Sequence, residues 1–323
     1  MSDSTAIPDE LQQKMDALLK RLNARLLGQE QVVRQVVCCL LAGGHTLIEG
    51  VPGLGKTLLV RALASSFGGT FKRIQFTPDL MPADITGHAL YDMKEGKFRV
   101  RKGPVFTNLL LADEINRAPA KTQAALLEVM QELHVTIEGQ AQAVPTPFMV
   151  LATQNPLEQE GTYPLPEAEL DRFLMKVQIE YPEREQELAL TRMVTSSSRD
   201  DLSVEDDAPI LDANAVEDLR AAINSVVIDD ACLDYAVRIV RETRASGGIR
   251  QGAGPRASIA LVRCARVEAV FNGRDFVLPD DIKAVMKPVL RHRIILSADA
   301  EIDGMDADGT LQLLLDRVEA PRI

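Results

Sequence analysis

The sequence predicts an α/β domain, in which a parallel sheet carries helices on both faces, followed by a smaller all-α helical domain. Two observations predict the first domain. A glycine-rich segment from Gly50 to Thr57 lies between a short apolar run and a helical pattern. Apolar runs at 109–114 and 147–156 then end in polar residues, as buried strands of such a sheet do. The second domain is predicted because four helical patterns follow one another after residue 210.

The domain boundaries follow from changes in composition. The first nine residues are expected to be disordered, and the polar, acidic stretch TSSSRDDLSVEDDAP is typical of a linker. We therefore expect a nucleotide-binding α/β domain at 1–195, a linker at 196–210, and a helical domain with a C-terminal tail at 211–323.

The segment GVPGLGKT has the spacing of a phosphate-binding P-loop. Gly53 and Gly55 lack a Cβ, so the backbone there can adopt positive φ and turn its N–H groups onto phosphate oxygens. Lys56 is expected to reach the β- and γ-phosphates, and the Thr57 hydroxyl to ligate Mg²⁺. The predicted nucleotide-contacting residues here are Gly50, Val51, Pro52, Gly53, Leu54, Gly55, Lys56, Thr57 and Leu58.

Two adjacent carboxylates end the apolar run LLLADE. Asp113, at the end of the strand, is expected to hold the Mg²⁺ shell beside Thr57 and to contact the nucleotide site. Glu114 is aimed differently and is expected to polarise the attacking water. This is the pattern of a Walker B element, and a nucleotide and Mg²⁺ are the cofactors that it implies.

Two polar residues have open interpretations. Asn155 ends another predicted strand, where its amide is either a turn residue before Pro156 or a group that bonds the γ-phosphate and the lytic water. Gln29 precedes the second predicted helix and is either a helix cap or an adenine contact.

The region between the two motifs predicts further short elements. Phe71 to Phe76 fits a buried strand, 77–87 fits a broken, loop-bound helix, and 90–102 fits a β-hairpin that turns at Glu95 and Gly96. A second hairpin is predicted at 134–147. The first hairpin is strongly basic, which fits either a solvated polar face or a positively charged loop presented to a partner or a pore. Its cations are Lys94, Lys97, Arg99, Arg101 and Lys102.

The composition narrows the function classes. The net charge is −11 and the sequence pI is about 5.0, so no overall positive field attracts nucleic acid or an anionic membrane. The N-terminal segment is polar and lacks an apolar core, so we expect no signal peptide there. No apolar run approaches the 18 residues of a membrane span, so we expect a cytoplasmic protein without membrane insertion. The four cysteines lack metal-ligand spacing and are interpreted as buried structural thiols.

In combination, these motifs resemble those of MoxR-type AAA+ ATPases, the clade with an insertion in the second helix and a hairpin before sensor 1. The resemblance covers nearly the whole chain from Leu26. It rests on GVPGLGKT, FTPDLMPADITG, LLLADEINRAP, ATQNPLEQEGTYPLPEAELDRF and GAGPRAS.

The resemblance implies roles for three further residues. Asn155 is implied as sensor 1, Arg172 as an arginine finger that acts on a neighbouring subunit's nucleotide, and Arg256 as the sensor 2 arginine. Arg256 starts a helix of the second domain, from which we expect it to reach back to the γ-phosphate. The nucleotide is implied to be ATP, and the protein a homo-oligomer in a hexameric ring.

The resemblance also implies partners. Proteins of this type commonly work with a von Willebrand factor A domain protein to mature a client protein, often by inserting a metal or cofactor. Two alternatives stay open: the motor subunit of a metal chelatase, and a nucleic-acid-remodelling ATPase. The basic hairpin favours the nucleic-acid alternative, whereas the acidic pI and the few aromatic residues oppose it.

Overall fold

The computed structural model describes residues 8–50, 53–155, 161–196 and 208–322. The strands are, in chain order, β1 (Thr46–Glu49), β2 (Phe71–Gln75), β3 (Gly87–Asp92), β4 (Lys97–Lys102), β5 (Leu109–Asp113), β6 (His134–Ile137), β7 (Gln140–Ala143), β8 (Met149–Gln154), β9 (Met175–Gln178), β10 (Ile249–Gln251) and β11 (Ile295–Leu296). The helices are α1 (Asp9–Arg25), α2 (Glu30–Leu41), α3 (Lys56–Ser66), α4 (Pro82–Thr86), α5 (Ala120–Glu132), α6 (Glu167–Leu170), α7 (Arg184–Ser196), α8 (Ala213–Asn224), α9 (Asp230–Ala245), α10 (Pro255–Phe271), α11 (Pro279–Leu290), α12 (Ala298–Ile302) and α13 (Ala307–Arg317).

A five-stranded parallel sheet, in the order β2-β5-β8-β1-β9, organises the first part of the chain. Because the strands are parallel, the carboxyl ends of β1, β5 and β8 meet at one edge of the sheet. The three central strands are apolar and buried, as predicted from their sequences. The predicted buried strand at Phe71–Phe76 is an edge strand instead. Its exposed side chains include Lys72 and Arg73, since β2 has only β5 as a neighbour.

Helices cover both faces of this sheet. Leu109 and Leu111 of β5 contribute to a core that includes residues of α1, α2 and α3, whereas Leu110 and Ala112 contribute to a second core that includes residues of α5. This division follows from the alternation of side chains along a strand. The predicted arrangement of a parallel sheet between two helical layers is therefore confirmed.

The helices from α8 onward form the second domain, whose core is continuous with the one around α2. Asp212 caps α8 as predicted, accepting a hydrogen bond from the Ala215 N–H at 2.7 Å. The all-α prediction missed a short antiparallel ladder, β10–β11, because two- and three-residue strands are too short to reveal an alternating pattern.

The junction between the domains also differs from expectation. Helix α7 was not predicted, although Glu185 and Glu187 in its first turn are a helix-start signal. Most of the predicted linker, 197–207, and most of the predicted disordered N-terminus, 1–7, lie outside the described residues. Downstream of the linker, the chain returns to the first domain, where the Ile210 N–H donates to the Ser66 carbonyl at 2.7 Å.

Both predicted hairpins are present. The first pairs β3 with β4, and the second pairs β6 with β7. The predicted short helix in 77–87 is α4. The four cysteines are buried and unpaired, as the interpretation of structural thiols requires. Among the described residues, no helix combines the length and the apolar character needed to cross a membrane.

Candidate active site

The P-loop connects β1 to α3 at the carboxyl edge of the sheet. Gly53 and Gly55 have φ of +89° and +75°, which confirms that the loop uses the left-handed backbone predicted for its glycines. Gly50 leaves β1 beside β9, where a Cβ would lie 2.8 Å from the Ile179 carbonyl oxygen. Because α3 begins at Lys56, its first-turn N–H groups have no partners within the helix and can bind an anion.

A cleft forms where the loop faces the ends of β5 and β8. Both carboxylates of the predicted Walker B element and the predicted Asn155 amide line this cleft together with the loop. Its lining residues are Gly53, Gly55, Lys56, Thr57, Leu58, Asp113, Glu114, Thr153, Gln154 and Asn155. This donor and acceptor set fits a triphosphate with a bound Mg²⁺ ion.

Thr153 holds the two carboxylates in place. Its hydroxyl donates to Asp113 Oδ1 at 2.6 Å and accepts a bond from the Glu114 N–H at 2.9 Å. Glu114 has a φ of +57°, so the chain turns sharply after β5 and aims the two carboxylates differently. Thr153 was not predicted as a site residue, and its only signal in the sequence is a polar residue near the end of an apolar strand.

Side chains from the edge strand β2 also contact the carboxylates. Arg73 Nη2 lies 2.6 Å from Asp113 Oδ2, and Gln75 Nε2 donates to Glu114 Oε2 at 2.6 Å. Arg117, after β5, adds a contact of 3.2 Å to the same Glu114 oxygen. None of the three was predicted as a site residue. The roles of Arg73 and Gln75 depend on β2 lying beside β5, whereas Arg117 reaches Glu114 from three residues further along the chain.

Lys56 lies at the base of the cleft, where its Nζ donates to the Gly50 carbonyl at 2.5 Å. Burial lowers the pKa of Lys56, and the carboxylates of Asp113, Glu114 and Glu49 act in the opposite direction. The ammonium group therefore lies close to negative charge and faces the cleft in which a phosphate would bind.

Four other predicted site residues do not line this cleft or lie outside the described residues. Val51 and Pro52 are outside the described residues. Leu54 packs against the core that contains α2 and α3. Gln29 occupies the N-cap position of α2, but its side chain makes no capping bond and donates instead to the Glu180 carbonyl at 3.1 Å.

Arg172 and Arg256 line a second cleft, together with Asp171 and the segment Gly43–His45 that precedes β1. The P-loop follows the opposite end of the same strand, six residue steps from Gly44, or about 20 Å along an extended chain. The structure therefore brings the two arginines to each other and not to the P-loop of their own chain. The expectation that Arg256 reaches back to its own γ-phosphate is not met, because the second domain packs at the other end of β1.

Comparisons with known proteins agree with this geometry. A family model described as the ATPase family associated with various cellular activities (AAA) matches residues 45–175, and an AAA lid-domain model matches 241–312. The chain is 44% identical to the chaperone MoxR1 of Mycobacterium tuberculosis, over 92% of this chain and 80% of that protein. The chain belongs to the MoxR family of AAA+ ATPases.

Two further relatives of this MoxR-family protein cover nearly its whole length. It is 41% identical to YeaC of Bacillus subtilis, over 98% of each chain. It also resembles the crystal structure of an ATPase candidate from Cytophaga hutchinsonii, with a TM-score of 0.88, 42% identity and coverage of 97% and 96% of the two chains. The predicted AAA+ domain, helical lid and ATPase class are thereby confirmed, and the family implies nucleotide binding and oligomeric assembly.

Proposed function

We propose that this MoxR-family ATPase hydrolyses Mg²⁺-bound ATP in a hexameric ring and uses the cycle to remodel or mature a client protein. We further propose that it works with a von Willebrand factor A domain protein, as its resemblance to MoxR-type ATPases implies. The AAA+ lid and the relative named as a chaperone support the general class.

Mg²⁺, when bound, would offset part of the negative charge of the nucleotide phosphates. Lys56 and the N–H groups at the start of α3 hold the phosphates, and Thr57 and Asp113 are the candidate metal ligands. Glu114 orients and deprotonates the attacking water, because it is the carboxylate that follows the strand and turns into the cleft. Asn155 lines the same cleft, and its proposed role is to donate an amide hydrogen to a phosphate oxygen or to that water.

The proposal of a ring rests on the separation of Arg172 and Arg256 from the P-loop of their own chain. Arg172 and Arg256 lie by the amino end of β1, and the P-loop follows its carboxyl end. A head-to-tail contact between copies brings one cleft against the other, and such contacts close into a ring when the rotation permits. We propose that both arginines neutralise charge on the nucleotide of the adjacent copy, where an arginine finger is worth about 10³-fold or more in turnover.

The test is a mixing experiment with two inactive variants. Arg172→Ala keeps its own P-loop and Glu114, whereas Glu114→Gln keeps its arginines. Each variant alone is expected to bind ATP and to hydrolyse it poorly. In randomly mixed 1:1 rings, roughly half of the Arg172→Ala clefts face a Glu114→Gln neighbour and should regain hydrolysis. Mixtures as inactive as either variant alone would contradict a role in trans.

Features of the β3–β4 hairpin favour a polypeptide as the client. Tyr91 and Phe98 lie opposite each other with ring centroids 5.2 Å apart, and they are 55% and 70% exposed. Exposed aromatic pairs of this kind are typical of surfaces that bind other proteins. Arg99, on the opposite face, makes ion pairs with Asp92 and Glu95, so part of the basic charge is already compensated within the hairpin.

A further inference from the structure

Three consecutive residues after α11 connect the lid to the segment that carries Arg172. Arg291 donates to the Lys176 carbonyl at 3.2 Å, and His292 Nε2 lies 3.0 Å from the Phe173 carbonyl oxygen. Arg293 makes the largest number of these contacts. The lid is thus bonded to the chain at 171–176, from the end of α6 into β9, immediately beside the cleft that Arg172 and Arg256 line.

Arg293 is a buried cation that uses its whole guanidinium for this purpose. Its side chain is 4% exposed, and its Nε donates to Asp171 Oδ1 at 2.7 Å. The two remaining nitrogens donate to the backbone carbonyls of the two residues that follow Arg172, at 2.6 Å to Phe173 and 3.1 Å to Leu174. Burial lowers the pKa of Arg293, and the Asp171 carboxylate acts in the opposite direction.

Asp171 connects this buried cation to Arg256. While Oδ1 accepts from Arg293, Oδ2 lies 3.8 Å from Arg256 Nη1, and the Arg256 side chain is 61% exposed. Arg172 is the next residue in the chain, and its Nη1 donates to the Leu127 carbonyl at 3.0 Å. Arg293 and Asp171 therefore contact both the backbone beside Arg172 and the side chain of Arg256, while Leu127 holds the Arg172 side chain.

We propose that Arg293 is a positioning residue for hydrolysis, which holds Arg172 and Arg256 together through Asp171 so that they reach the adjacent copy's nucleotide as a pair. This inference rests on the proposed function, because it assumes that the two arginines act in trans. Arg293 lies at the inner wall of the same cleft as these two arginines, where its side chain is only 4% exposed and its guanidinium nitrogens are already bonded within the chain. It therefore acts through Asp171 and the backbone and not as a direct nucleotide contact. Because Arg293 belongs to the lid, the position of the lid and the positions of Arg172 and Arg256 depend on each other within each copy.

Arg291 offers a matched control. Its side chain is 9% exposed and it also joins the lid to the same segment, but it pairs with Asp308 and makes no contact with Asp171. Arg291→Lys and Arg293→Lys are therefore the same chemical change at two buried sites two residues apart. In each case lysine keeps the charge and loses the planar fork that bonds several acceptors at once.

The experiment measures ATP affinity, turnover and recovery in mixed rings for these variants. Arg293→Lys should bind ATP with unchanged affinity and turn over about 10- to 100-fold more slowly, as expected when catalytic groups are misplaced by about 1 Å. Arg291→Lys should stay close to the wild-type rate. Mixing Arg293→Lys with Glu114→Gln should restore hydrolysis, because the Glu114→Gln copy supplies correctly placed arginines. A general folding defect would not be restored in this way.

Asp171→Asn provides a second variant if Arg293→Lys does not fold. Asn keeps an acceptor for Arg293 but removes the charge that attracts Arg256, and it should give the same slow turnover and the same recovery on mixing. Turnover of Arg293→Lys equal to that of Arg291→Lys would overturn the proposal, and so would slow turnover that mixing does not restore. The mixture of Arg172→Ala with Glu114→Gln distinguishes failure of this inference from failure of the trans mechanism. If that mixture regains hydrolysis and the Arg293→Lys mixture does not, only the role of Arg293 is wrong. If both mixtures stay inactive, the trans mechanism is wrong.

Discussion

Replacing Thr153 by valine tests how the candidate active site holds its carboxylates. Valine keeps the shape of threonine and removes the hydroxyl that bonds Asp113 Oδ1 at 2.6 Å and the Glu114 N–H at 2.9 Å. Thr153 is 1% exposed, so water does not readily replace either partner. A bond to a charged group contributes about 1.5–3 kcal/mol and a backbone bond about 0.5–1.5 kcal/mol. We therefore expect the free energy of unfolding to fall by about 2–4 kcal/mol.

The catalytic effect should exceed what this loss of stability alone implies. Both carboxylates gain freedom to move, and misplacement of catalytic groups by about 1 Å costs about 100-fold in rate. We expect the kcat of Thr153→Val to fall 10- to 100-fold, with a smaller change in the dissociation constant for ATP, since the P-loop is unchanged.

Thr153→Ser is the matched control, because serine keeps the hydroxyl and loses only a methyl group. The assay combines steady-state ATPase rates, ATP binding to each variant, and urea unfolding followed by far-UV circular dichroism. If Thr153→Val retains wild-type kcat while Thr153→Ser does not, the hydroxyl is not what positions Asp113 and Glu114.

Two further predictions concern stability and client binding. His45 is buried, which lowers its pKa to about 4, and its Nδ1 accepts the Val150 N–H at 3.0 Å. The unfolded chain takes up this proton near pH 6.5 and the folded chain only near pH 4, so stability falls as the pH drops through this window, by about 2 kcal/mol at pH 5. Urea midpoints should depend less steeply on pH in His45→Gln than in the wild type, and equal slopes would remove His45 as the cause. In the second prediction, the Glu114→Gln protein holds ATP and captures a client protein from lysate, and adding Tyr91→Ser and Phe98→Ser abolishes this capture while ATP binding stays unchanged. Capture of nucleic acid instead, with DNA-stimulated ATPase activity that salt abolishes, would favour the nucleic-acid alternative.

The sequence was sufficient for features that depend on neighbours along the chain. The P-loop is local, since its glycines, Lys56 and Thr57 lie within one strand–loop–helix unit, and its backbone conformation agrees with the prediction. Asp113 and Glu114 could be predicted for the same reason, because the end of an apolar strand specifies where the two carboxylates lie.

The order of the strands in the sheet could not be predicted from the hydrophobic pattern of the sequence, and several contacts of the active site depend on that order. Arg73 and Gln75 reach the carboxylates because β2 pairs with β5, and Thr153 reaches them because β8 lies on the other side of β5. Their residue types alone indicate exposed polar positions on short strands. Only the packing of non-adjacent segments turns them into contacts of the active site.

The position of Arg256 shows the same limit for the second domain. The prediction that Arg256 lies at the start of a helix is correct, since α10 begins at Pro255. The direction in which that helix start points depends on how α10 docks against α2 and on the bonds between Arg293 and Asp171. These contacts join residues far apart in the sequence, and no spacing rule within one chain predicts them.

The most direct test of the central claim is a structure of the Glu114→Gln protein bound to ATP and Mg²⁺ in its assembled form. We expect a closed ring in which Arg172 and Arg256 of one copy lie within hydrogen-bond distance of the γ-phosphate held by the P-loop of the next copy. We also expect that Asp171 keeps its bond to Arg293 in that ring. A γ-phosphate contacted only by residues of its own chain, with both arginines directed away from every nucleotide, would contradict the account.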